Sequence, residues 1–93
     1  MQLYPKTIDV CVLNELGLHA RPAGILAREA QKYAASITLS QGDRSVDAKS
    51  ILDILSLAAS QGTELAITAE GQDADDALRN LTDFFANKFG EDR

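Results

Sequence analysis

Polar and apolar positions alternate along residues 7–13, T-I-D-V-C-V-L, with Ile8, Val10 and Val12 on one side. That period of two predicts a strand with one buried face. The period then changes. Ala23, Leu26, Ala27, Ala30, Tyr33 and Ala34 recur at helical spacing, which predicts a first helix over residues 20–33 with this stripe turned inward. Ala20, Gly24 and Arg28 fall on a separate row, with Ile25 nearby. Residues 36–40 alternate again through Ile37 and Leu39, and Gln41-Gly42-Asp43 supplies turn chemistry before a short strand at 45–47. A second helix is expected over residues 51–59, with Ser50 as its N-cap and Gly62 as its stop. Leu65 and Ile67 point inward from a last strand at 63–69. Asp73 is placed to cap a final helix, and Asp75 and Asp76 suit the positive end of its dipole. Its stripe runs through Ala77, Leu78, Leu81, Phe84, Phe85 and the stem of Lys88, and Gly90 is the expected end.

The resulting order is βαββαβα. Strands with one apolar face and three amphipathic helices imply helices packed on one side of a sheet, an α+β two-layer domain. Ninety-three residues suffice for one such core and not for two.

The second helix is the exception to clean amphipathicity. Ile54, Leu57 and Ala58 share one arc, while Ile51, Leu52 and Leu55 occupy the next. A short helix on a small sheet cannot bury both. Unless the third helix covers the second arc, it remains as an exposed apolar patch, and such patches mark binding surfaces.

Composition and charge narrow the partners. At 45% hydrophobic and 25% charged, the chain has the make-up of a soluble globular protein. A net charge of −5 without a basic run argues against nucleic acid and anionic membrane. No segment reaches transmembrane length or forms a secretory leader, so a cytoplasmic protein without membrane insertion is expected. Cys11 stands alone and cannot form an internal disulfide. One His and one Cys make a poor zinc site, so neither metal nor cofactor is expected.

The chemistry concentrates in N-E-L-G-L-H-A-R-P-A, residues 14–23, where strand gives way to helix. Gly17 permits a sharp turn, and Pro22 suits a first helical turn, whose N–H groups have no partner inside the helix. His19, the single histidine, therefore falls at or beside the N-cap. Free amides and the positive end of the dipole attract anions there, phosphate included. The same field works against a positive charge on the ring and leaves a lone pair for nucleophilic attack. Arg21 can offer a planar fork of donors to phosphate oxygens. A lone histidine in a turn needs no function. A nucleophile, an anion site and a guanidinium within three residues point to phosphoryl transfer through a phosphohistidine.

G-L-H-A-R-P-A, residues 17–23, resembles the active-site stretch of HPr, the histidine phosphocarrier family of the bacterial phosphotransferase system. A-K-S-I-L-D-I-L-S-L at 48–57 is similar to the family's regulatory-serine segment, and Q-G-T-E-L-A-I-T-A-E-G at 61–71 to its closing pattern. The resemblance implies an open-faced β-sandwich whose four-stranded antiparallel sheet has the order 1-4-2-3, with three helices on one face. It implies phosphorylation of His19 on Nδ1 by Enzyme I, itself charged by phosphoenolpyruvate, and onward transfer to an EIIA domain. Arg21 would sit near the phosphoryl oxygens. Ala20, Gly24, Arg28, Ile51, Leu52 and Leu55 match the positions that partners grip. Ser50 matches the serine modified by an HPr kinase/phosphorylase in bacteria that carry one, although an N-cap serine needs no further reason to be there. Such a protein would be a monomeric, stoichiometric carrier and not an enzyme with its own turnover.

Two other readings stay open. The same histidine motif serves the nitrogen-related branch, the NPr type, although K-S-I at 49–51 leans toward HPr. In a binding-only regulator, docking on Ile51, Leu52 and Leu55 would matter and His19 chemistry would not. Gly24 is likewise double-edged: a tolerated helix flaw, or a small residue that lets a partner approach His19.

Overall fold

The alternating and helical stretches form the expected elements in a computed structural model that describes residues 4–93. In chain order they are β1 (Lys6–Cys11), α1 (Ala20–Ala30), β2 (Ser36–Gln41), β3 (Arg44–Asp47), α2 (Ile51–Ser56), β4 (Glu64–Glu70) and α3 (Ala74–Ala86), followed by a 3₁₀ turn at Lys88–Gly90. The strands form one sheet in the order β1-β4-β2-β3, and every neighbouring pair is antiparallel. This is the βαββαβα open-faced sandwich. Register places Val10 opposite Leu65 and Leu39 opposite Ile67, so the inward positions of three strands meet in one layer. Ala23, Leu26, Ala27 and Ala30 from α1 and Ala77, Leu78, Leu81 and Phe85 from α3 close over that layer. The other face stays polar, with hydroxyl pairs Thr7–Thr68 and Ser40–Ser45 each at 2.9 Å.

The departures from the sequence pattern have local causes. Ile8 shares the inward side with Val10 and Val12 but is exposed, because β1 is an outer strand. The first helix ends at Ala30, three residues early, and Ala34 is exposed instead of inward. There the Asp73 carboxylate accepts from the Ala34 and Ala35 N–H groups, both at 2.8 Å, and draws the chain out of the helix. Asp73 thus occupies the N-cap position of α3 without making a side-chain cap to it. Ser50 does cap α2: its Oγ accepts from the Asp53 N–H at 3.2 Å. The second helix ends at Ser56, not at residue 59. Ala58 takes φ 49 and lies exposed, so it leaves the buried arc that Ile54 and Leu57 keep. The early exit brings the Ala59 carbonyl to the Leu18 N–H at 2.9 Å. The third helix stops at Ala86, and Phe89 folds back to bury its ring edge-on against Phe85 at 4.9 Å.

Candidate functional site

The loop from β1 to α1 owes its shape to Gly17. Its φ is 71°, and a Cβ there would collide with the Ala59 carbonyl oxygen, so both conformation and closeness call for glycine. Leu18 is buried beneath the loop. The next residue, His19, takes the N-cap position of α1 with extended backbone, and its carbonyl accepts the first helical bond from the Ala23 N–H at 3.0 Å. Its side chain is one-third exposed, at 33%. The amides of Ala20 and Arg21 precede any helical acceptor, and Pro22 has no N–H to offer. Arg21 is exposed and pairs with no carboxylate within ion-pair distance among the described residues.

The chain's end completes the site, and sequence reasoning missed it. His19 Nε2 lies 2.8 Å from Glu91 Oε2, a carboxylate with only 15% of its side chain exposed. The other oxygen, Oε1, accepts from the Nδ2 of Asn14, which also donates to the Lys88 carbonyl at 2.8 Å. Asn14 is buried, and both neighbours of its Nδ2 are acceptors, so its orientation is unambiguous. The Asn14 amide first, and then the His19 ring, hold the Glu91 carboxyl below the usual carboxylate range against the opposing effect of burial. Glu91 therefore stays ionised near neutral pH. A cleft of about 480 Å³ beside the histidine is lined by Glu15, Leu16, Arg21 and residues 90–93. Leu16 is 75% exposed, an apolar side chain in the turn before Gly17, where no strand or helix period marks it.

The structure sets the remaining sequence candidates on neighbouring helices. Ala20 and Arg28 are exposed on α1 and Gly24 is half-buried, with no atom within 4 Å of where its Cβ would stand. On α2, Leu52 is 78% exposed and Ile51 is exposed, whereas Leu55 is half-buried against the core. The helices α1 and α2 pack beside one another, and α3 does not close over Ile51 or Leu52. Lys49 Nζ donates to the Tyr33 carbonyl at 2.7 Å and Gln31 Nε2 to the Lys49 carbonyl at 2.8 Å, tying the end of α1 to the residue before Ser50. Among the described residues, no helix is long and apolar enough to cross a membrane, and no group of three or more His, Cys, Asp or Glu side chains could hold a metal ion.

Residues 6–87 match the family model described as the PTS HPr component phosphorylation site. The phosphocarrier protein HPr of Xylella fastidiosa is 42% identical over 84 residues, which span 90% of this chain and 94% of that protein. The crystal structure of HPr-C-His from Thermoanaerobacter tengcongensis superposes with a TM-score of 0.91 at 39% identity, covering 95% of this chain and 99% of that one. Phosphocarrier protein HPr from Bacillus anthracis gives 0.83 at 38% identity, covering 87% and 96%. With the fold, strand order and sequence all in agreement over nearly its whole length, this chain belongs to the HPr family of phosphocarriers of the phosphotransferase system.

Proposed function

We propose that the chain shuttles a phosphoryl group on His19, taking it from Enzyme I charged by phosphoenolpyruvate and giving it to an EIIA-type acceptor. The observation that carries this reading is the setting of the ring. His19 is partly exposed at the N-cap of α1, with Nε2 occupied by Glu91 and Nδ1 without a hydrogen-bond partner among the described residues. An incoming phosphoryl oxygen at Nδ1 would meet the first-turn amides and, with a change of rotamer, the Arg21 guanidinium. Transfer of this kind depends on in-line positioning and charge stabilisation, which two docked proteins can provide. A partly open site with one arginine holds the group without trapping it.

Docking is assigned to the exposed surface of α1 and α2: Ala20, Gly24 and Arg28 with Ile51, Leu52 and Leu55. Apolar area not covered by the fold supports that assignment. A phosphate on Ser50 would put negative charge at the edge of this patch and weaken association without a change of fold. That makes Ser50 the proposed regulatory site where an HPr kinase/phosphorylase is present. The protein is proposed to work as a single monomeric domain in the cytoplasm, as a substrate of other enzymes.

Incubation with Enzyme I and labelled phosphoenolpyruvate tests the shuttle. Wild type should take up acid-labile label and His19→Ala none. Label on both proteins would place the acceptor elsewhere. Label on neither would leave a regulator that acts by binding alone.

A further inference from the structure

The tail residue Glu91 lies outside the loop and helices that supply the rest of the site, yet among the described residues it makes the one hydrogen bond to the imidazole ring. The geometry points to Glu91 as a positioning residue that, pinned by Asn14, fixes the ring so that Nε2 carries the hydrogen and Nδ1 presents its lone pair to the phosphoryl donor. This rests on His19 being the acceptor.

The argument is one of donors and acceptors. An ionised carboxylate can only accept. Asn14 supplies an N–H to Oε1, and Oε2 faces His19 Nε2 at 2.8 Å. An unprotonated Nε2 would set lone pair against lone pair, so the ring must donate from that atom. The carboxylate is not free to turn away. Asn14 also holds the Lys88 carbonyl, Phe89 is buried against Phe85, and the tail is fastened on both sides of Gly90. Glu91 meets the ring at Nε2, and no hydrogen bond among the described residues occupies Nδ1.

The transfer then balances without moving a proton on His19. The Nδ1 electron pair forms the new N–P bond as the bond from phosphorus to the donor's leaving atom breaks, and that bonding pair stays with the donor. Nε2 keeps its hydrogen, the phosphorylated ring gains a formal positive charge, and the Glu91 carboxylate faces that charge. Delivery to the acceptor reverses these changes.

Glu91→Gln separates orientation from mere tail anchoring. Asn14 requires an acceptor, so the oxygen of the substituted amide should turn to it and the amide NH₂ should face Nε2. That makes Nε2 accept and moves the hydrogen to Nδ1. Glu91→Ala simply frees the ring. Because the chain has a single histidine, its two ring nitrogens can be read in ¹⁵N spectra of the full-length protein at about pH 8, where free imidazole is neutral. Wild type should show the Nε2–H form, and Glu91→Gln a shift toward Nδ1–H. Uptake of label from charged Enzyme I should fall about ten- to hundredfold in Glu91→Gln. The fall should be smaller in Glu91→Ala. Nδ1–H already dominant in wild type, or an unchanged ring form in Glu91→Gln, would overturn the assignment. So would an Ala variant at least as slow as the Gln variant, which is the pattern of tail anchoring. Tautomer reversal with no label on any of the three proteins would uphold the control of the ring by Glu91 and remove the shuttle.

Discussion

Two glycines flank His19 and answer to different demands. Gly17 is irreplaceable on two counts, its φ of 71° and the Ala59 carbonyl pressed against the place a Cβ would take. Gly24 has neither constraint, since it lies in α1 with helical backbone and open space around the missing Cβ. Its cost is backbone entropy, about 0.5–1 kcal/mol relative to alanine. Gly24→Ala should therefore raise the unfolding free energy by about that amount in urea titration. The rate of phosphoryl uptake from Enzyme I then decides between the two reasons for a glycine there. An unchanged rate means a tolerated flaw, and a slower one means that the methyl group obstructs the partner. At this scale the motif around His19 was legible, because turn glycine, N-cap and Pro22 are neighbours in the chain and obey local rules. Glu91 was not. It lies 72 positions from His19, and nothing local marks a carboxylate beyond a helix end as the partner of a ring near the other end of the chain.

Among the elements, α2 shows what binary pattern can and cannot settle. The pattern divided an apolar helix into two arcs. The structure buries Ile54 and Leu57 of the first and exposes Ile51 and Leu52 of the second, while Leu55 of the second packs half-buried against the core and Ala58 of the first is exposed. It overran the helix end because Ala58 is a good helix former and only the pull of Ala59 toward Leu18 turns it out. Tertiary bonds likewise ended α1 early, at Ala30. The exposed arc carries its own test. Leu52, 78% exposed, gains little from folding, so Leu52→Asp should shift stability by less than about 0.5 kcal/mol. A carboxylate on a surface proposed to be desolvated in a complex is a different matter. Loss of a buried leucine contact there should cost about 1.5–3 kcal/mol of affinity for Enzyme I, or roughly ten- to hundredfold in Kd. Calorimetric titration measures it. Wild-type affinity in the variant would move the docking surface off α2.

Across the molecule, the turn after β4 comes close to the chain just beyond the end of α1. A Cβ on Gly71, whose φ is 149°, would come within 2.8 Å of the Ala35 Cα, so the two backbones nearly touch. Asp73 spans the junction, one oxygen to each of the Ala34 and Ala35 amides. Those N–H groups, the Ala34 bond foremost, hold its carboxyl below the ordinary value despite the opposing desolvation. The sign of the linkage follows. With the folded value depressed, the folded state binds the proton less readily than the unfolded chain, whose carboxyl titrates at about 3.9. The stabilisation is thus complete above that value and is lost as pH falls through the lower, folded one. Asp73→Asn can still accept at one oxygen but carries no charge, and its NH₂ would face an amide donor. Its melting temperature should lie below wild type at neutral pH, and the gap should narrow as the solution is acidified below about pH 4. Other carboxylates that titrate with depressed values, Glu29 and Glu91, remain in both proteins, so taking the difference isolates Asp73. A gap that stays constant from neutral to strongly acid solution would mean that the side chain's shape, and not its charge, ties the end of α1 to the start of α3.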